Sequence, residues 1–138
     1  MTDPVPTKGY SVTQVNLVEM SFAWTIEDPT KETTNRVSFQ IQTHAPIQRD
    51  VGMEHRLTVV VSGTVDEKKD LWKAAATFSA RFLVENESDV DIESVQRVHA
   101  PAFLYGFARE AISDLCRRAG LIQVILPPMN FTVPRTPK

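Results

Sequence analysis

A chain of 138 residues suits one domain with a buried core, and its 15 Lys plus Arg against 17 Asp plus Glu leave a net charge of −2, which gives no electrostatic reason to seek nucleic acid or anionic lipid. No apolar run approaches the roughly 20 residues that cross a bilayer, since even residues 121–129 are interrupted by Gln123 and two prolines. Cys116 has no second cysteine to pair with, and the opening Met1-Thr-Asp-Pro-Val-Pro lacks the basic-then-apolar pattern of a secretion signal, so the sequence predicts a soluble cytoplasmic protein.

Residues 1–9, with two prolines and little to bury, read as a flexible arm ahead of a single domain over residues 10–131. Val18, Met20, Phe22, Trp24 and Ile26 then alternate with Glu19, Ser21 and Thr25, the period of a strand with one covered face. Residues 28–32 read as a turn, and Val37, Phe39 and Ile41 alternate again. A third strand is predicted over residues 57–65, where Leu57, Val59 and Val61 share a side, and the charged residues 66–70 connect it to a fourth. There Trp72, Ala74, Ala76, Phe78, Ala80 and Phe82 face one way against Lys73, Thr77, Ser79 and Arg81, an alternation that outweighs the helical propensity of alanine. These pieces predict an α+β fold in which a four-stranded antiparallel meander carries one main helix, ending in an extended C-terminal segment and a flexible tail over residues 132–138.

Residues 85–93 read as a polar loop leading into that helix, whose first turn accepts Pro101 without losing a hydrogen bond and whose end is marked by Gly120. On a helical wheel Leu104, Phe107, Ala108, Ala111, Ile112, Leu115, Cys116 and Ala119 occupy about half the circumference, wider than docking on one sheet requires. The breadth implies a second packing partner. Leu104, Ala108, Ala111, Ile112 and Leu115 are therefore the candidate interface of a homo-oligomer, a dimer or tetramer.

Chemistry is not written into the chain. His44, His55 and His99 form no metal-ligand spacing with one another or with Cys116, and the glycines make neither a phosphate loop nor a dinucleotide fingerprint. The acids Glu85, Glu87, Asp89, Asp91 and Glu93 lack the glycine of a calcium loop, and Arg109 and Glu110, about 100° apart on a helix, suit ion pairing better than acid-base work. The expectation is a protein that is not an enzyme, with no catalytic residues, metal or cofactor.

The stretch from Pro101 through Phe107-Ala-Arg-Glu110 to Gln123, Leu126 and Pro128-Met-Asn-Phe131 resembles the signature of the SecB family, bacterial chaperones that hold unfinished secretory proteins in the cytoplasm. The resemblance implies an ATP-independent holdase for unfolded or preprotein polypeptides, assembled as a dimer of dimers with this helix between sheets. It places candidate client contacts at Phe22 and Trp24, at Phe82 and Leu83, and at Val90 and Ile92, residues that could equally fill the core. Glu19 matches the first of the acids with which the family docks the translocation ATPase SecA, but Ala23 and Ala75 stand where others are usual, so contact with SecA stays open. Only five residues follow Val133, and the family's second helix and export tail are expected to be absent. The same architecture would also suit a SecB-like chaperone of a toxin-antitoxin system, or an oligomeric adaptor without client binding.

Overall fold

Strand-forming residues with one apolar face build an antiparallel sheet in the computed structural model of the protein, which describes residues 10–25, 36–66, 69–84, 93, 95–121, 124 and 126–131. The arm at residues 1–9, the turn at 28–32, the acidic residues 85–91, and the tail at 132–138 lie outside the described residues, as do Val90 and Ile92. The strands are β1 (Tyr10–Trp24), β2 (Arg36–Thr43), the two-residue β3 (Ile47–Gln48), β4 (Met53–Asp66) and β5 (Lys69–Val84), followed by a π-helical turn (Val95–His99) and the helix α1 (Ala100–Arg118).

The predicted antiparallel sheet and single main helix are present, but the order of the strands departs from a meander. Across the sheet they run β1-β5-β4-β2, with β3 paired to β4. Only β2, β4 and β5 follow one another as neighbours; β1 lies beside β5, which makes the arrangement a Greek key. Alternation fixes which side chains share a face and leaves neighbour order open, so the sequence could not separate the two. The second departure is β3, too short to show a period.

Register sorts the sheet into two faces, because residues directly opposite in an antiparallel pair point the same way. Leu57 opposes Phe78, Val59 opposes Ala76 and Val61 opposes Ala74, and all six are buried under α1. Phe39 and Ile41 on β2 extend this inner face on one side, and Leu17, Met20, Phe22 and Trp24 on β1 extend it on the other. The outer face carries Glu54, Arg56, Thr58 and Ser62 of β4 with Lys73, Thr77 and Arg81 of β5. A chain of hydroxyl contacts ties it together, Thr58 Oγ1 lying 2.7 Å from Thr77 Oγ1 and 2.8 Å from His44 Nε2.

Trp72 anchors the inner face and is wholly buried. Its cross-strand partner is Gly63, where an added Cβ would stand 2.1 Å from the indole nitrogen, so glycine is required for close approach. Phe22 stacks on Trp72 with ring centroids 5.9 Å apart, and Trp24 meets Phe22 edge-on at 5.4 Å.

The helix α1 grows out of the π-helical turn, its N-cap His99 already in helical conformation, and admits Pro101 in its first turn. It closes as a Schellman motif, with Gly120 N–H donating to Arg117 O at 3.0 Å, Leu121 N–H to Cys116 O at 2.9 Å, and Gly120 at φ +93°. Asp114 pairs with Arg117 and Arg118 at 3.0 and 3.1 Å in the last turns, where cations also suit the helix dipole.

Candidate functional site

Burial divides the broad apolar arc of α1. Leu104, Ala108, Ile112 and Cys116 are buried against the chain's own sheet, whereas Ala111 and Leu115 are half-buried and Phe107 remains 40% exposed. Of the five candidate interface residues, Leu104, Ala108 and Ile112 therefore offer no free surface in the single chain, and Ala111 and Leu115 do.

The far flank of α1 is covered by the C-terminal segment. Tyr105 Oη donates to Pro127 O, Ser113 Oγ donates to Val124 O at 3.2 Å, and the Tyr105 and Phe131 rings meet edge-on at 5.9 Å. Burial pushes the Tyr105 phenol up, opposed by the charge of Arg109. Val124 and Leu126 are buried, which explains the extended apolar run after Gly120 as cladding for the helix.

The near flank is an aromatic row. Phe103 meets Phe82 edge-on at 5.9 Å, Phe107 lies 5.2 Å from Phe103, and Phe107 lies 5.9 Å from Phe78. On β1, Leu17 is the cross-strand partner of that same Phe78 and is 48% exposed, and Met20 beyond it is 42% exposed. Leu17 and Phe107 thus stand on either side of one phenylalanine. With half-buried Phe22 and Trp24 further along β1, they make an apolar shelf between edge strand and helix. Contiguous exposed apolar surface of this kind is the candidate for association.

The candidate client contacts separate on this geometry. Phe22 and Trp24 lie along the shelf, half-exposed. Phe82 is fully buried beneath Phe103 and against the edge of the His55 ring, so it belongs to the core, and Leu83 is half-buried on the outer face beyond it. Leu17 and Phe107 were not singled out as contacts by sequence reasoning; the wheel held Phe107, and the register that exposes Leu17 depends on a bulge. Glu19, Ala23 and Ala75 all fall on the outer face, with Glu19 exposed.

Reactive groups in the core are quiet. Burial pushes the Cys116 thiol up to about 11, which keeps it protonated and unreactive near neutral pH, and burial lowers the pKa of His55, favouring its neutral ring. Among the described residues no group of His, Cys, Asp or Glu is placed to hold a metal ion, and no helix is long and apolar enough to cross a membrane.

A family model described as preprotein translocase subunit SecB matches residues 7–133. The chain belongs to the SecB family. Among its relatives, the protein-export protein SecB of Aromatoleum aromaticum is 31% identical over 96 residues, 70% of this chain and 60% of that one. The protein-export protein SecB of an Azoarcus species is 31% identical over 98 residues, 71% and 65% respectively. The chain thus spans 60% and 65% of the length of these two relatives. The fold matches a Mycobacterium tuberculosis SecB-like chaperone, solved in complex with a ChAD peptide from the HigA1 antitoxin, with a TM-score of 0.66 over 88% of each chain at 16% identity.

Proposed function

We propose that the protein is an ATP-independent holdase that keeps unfolded or preprotein polypeptides from collapsing, as its SecB relatives' role in protein export suggests. The observation that carries this reading is the exposed shelf of Leu17, Met20 and Phe107 around Phe78. An unfolded client presents separated apolar segments, and an open shelf can bind such a segment and release it unchanged. Binding the unfolded state in preference to the folded one draws the client away from compaction by mass action, without nucleotide.

Ala111 and Leu115, left half-exposed on α1, are the surface through which copies of the chain assemble. Several shelves in one homo-oligomer engage several segments of a long client together, so weak contacts combine through effective concentration. This assembly, a single domain over residues 10–131 and a cytoplasmic setting complete the reading. Glu19 on the outer face is the residue offered for any contact with SecA, and the alanines at 23 and 75 make that contact weak.

Light scattering of a thermally aggregating client tests the proposal. Suppression at a few-fold molar excess, without nucleotide, is the expected result; none at tenfold excess would leave an oligomeric adaptor as the better description. An antitoxin segment, the class of ligand in the mycobacterial complex, is a second client for the same shelf, and a synthetic segment of that kind that competes with the client would place it there.

A further inference from the structure

On the outer face, away from the shelf, two arginines pair with one glutamate and a third stands across the strand from it. Glu54 Oε2 accepts from Arg49 Nη2 at 3.1 Å and from Arg56 Nε at 2.9 Å. Arg81 is the cross-strand partner of Glu54 and so points from the same face, yet it forms no ion pair among the described residues, and its Nε is shut off from solvent with no hydrogen-bond acceptor. Asp50, in the turn beside Arg49, is exposed and pairs with none of the three.

The cluster is built by the fold. Ile47 and Gln48 of β3 pair with Glu54 and Met53, and Arg49 N–H donates to Gly52 O at 3.0 Å to close the turn that delivers Arg49 to Glu54. Gly52 has φ +78°, and a Cβ there would stand 2.6 Å from Phe82 O, 2.7 Å from Leu83 Cδ2 and 3.2 Å from Arg81 Cγ. The turn therefore lies against the stem of Arg81 only because this residue is glycine. Burial alone would raise the Glu54 carboxyl; the hydrogen bonds and charges of Arg49 and Arg56 prevail and hold it below the usual carboxylate range, so it stays ionised and both its arginines are held in place.

One carboxylate does not balance the three guanidinium groups that share this face, two of which, Arg49 and Arg56, keep more than a third of their side-chain surface exposed. We infer that the β3–β4 end of the outer face is a docking site for an acidic segment of a partner polypeptide, whose carboxylates pair with Arg81 and with the free edges of Arg49 and Arg56. Charge complementarity selects this occupant. Guanidinium takes carboxylate through paired parallel hydrogen bonds, and the patch is as small as a short run of Asp or Glu. The site is separate from the shelf and does not depend on the holdase reading.

Fluorescence anisotropy of a rhodamine-labelled hexaglutamate peptide, titrated with the full chain at low salt beside a hexaglutamine peptide carrying the same label, tests the inference. The acidic probe is expected to bind saturably and the neutral one not. Binding should weaken about twofold to fivefold in Arg81→Gln or Arg56→Gln, the range of a partly exposed charge pair. It should tighten in Glu54→Gln, which removes the internal competitor; a merely architectural role for Glu54 would not give that gain. Absence of saturable binding, or binding indifferent to all three substitutions, overturns the proposal. Equal displacement of the probe by inorganic phosphate at matched charge, or by an oligonucleotide, also overturns it by making this a general anion site. So does binding that appears only after Glu85, Glu87, Asp89 and Asp91 are neutralised, which would assign the arginines to the chain's own acids. Client protection measured on the same samples keeps failure of the holdase reading distinct from these outcomes.

Discussion

β1 and β5 are neighbours of nearly equal length, 15 and 16 residues, and both alternate apolar with polar side chains. On β5 the inner-face residues Trp72, Ala74, Ala76, Phe78, Ala80 and Phe82 are buried; on β1 their partners Leu17 and Met20 are about half exposed. The pattern is shared and the neighbours differ. β5 has a strand on each side and α1 above it, while β1 is the last strand of the sheet and the helix stops short of covering it. An apolar stripe becomes core or exposed surface according to what lies over it, and in this chain the boundary between the two runs between adjacent strands.

That boundary can be broken from its buried side first. Trp72→Ala should cost about 3–5 kcal/mol, read as a fall in the urea midpoint with unchanged slope, because Gly63 leaves nothing able to fill the vacated space. A loss below 1 kcal/mol would mean that Trp72 is not the anchor described. On the exposed side, Leu17→Asp with Met20→Asp should change stability far less and sharply reduce client protection in the light-scattering assay. If protection survives intact in this folded variant, the shelf is not where clients bind.

Ala111→Asp sharpens the comparison on the helix. Analytical ultracentrifugation should show a lower assembled mass with the circular dichroism of α1 retained, and an unchanged mass would move the subunit contact elsewhere. The smallest effect expected is a dependence on pH. Burial depresses the pKa of His55 in the folded chain, so between that depressed value and about 6.5 the unfolded chain binds more protons. Stability contributed by the neutral ring is present above about 6.5 and declines as pH falls through that window. His55→Gln should flatten this part of the urea-midpoint profile; an identical slope in the variant would assign it to other groups.

Much of the fold was legible because burial writes itself into spacing. The alternation from Trp72 to Phe82 identified β5 despite its four alanines, and the helical arc identified α1 together with its glycine stop. Strand order was not legible, since β1 has the same period whether it pairs with β2 or with β5. At the candidate site, spacing assigned faces and left exposure open: Phe22, Trp24 and Ala111 are half-buried, whereas Phe82 and Leu104 carry the same apolar character and are buried, and only their neighbours tell them apart. The arginine cluster left no trace in any periodicity, because Arg49, Glu54 and Arg81 meet through a turn set by Gly52 and a cross-strand register.

The irregularities of β1 bear on a hazard peculiar to a molecule with this surface. Register slips between Thr13 and Asn16 and again between Leu17 and Glu19, with Gln14 at φ +53°. These two bulges divide the open rim of the sheet into short lengths that no straight visiting backbone can zip onto end to end. Under the holdase proposal, side-chain capture on the shelf would thereby be uncoupled from main-chain templating, which would guard the chain against being drawn into fibres of its clients.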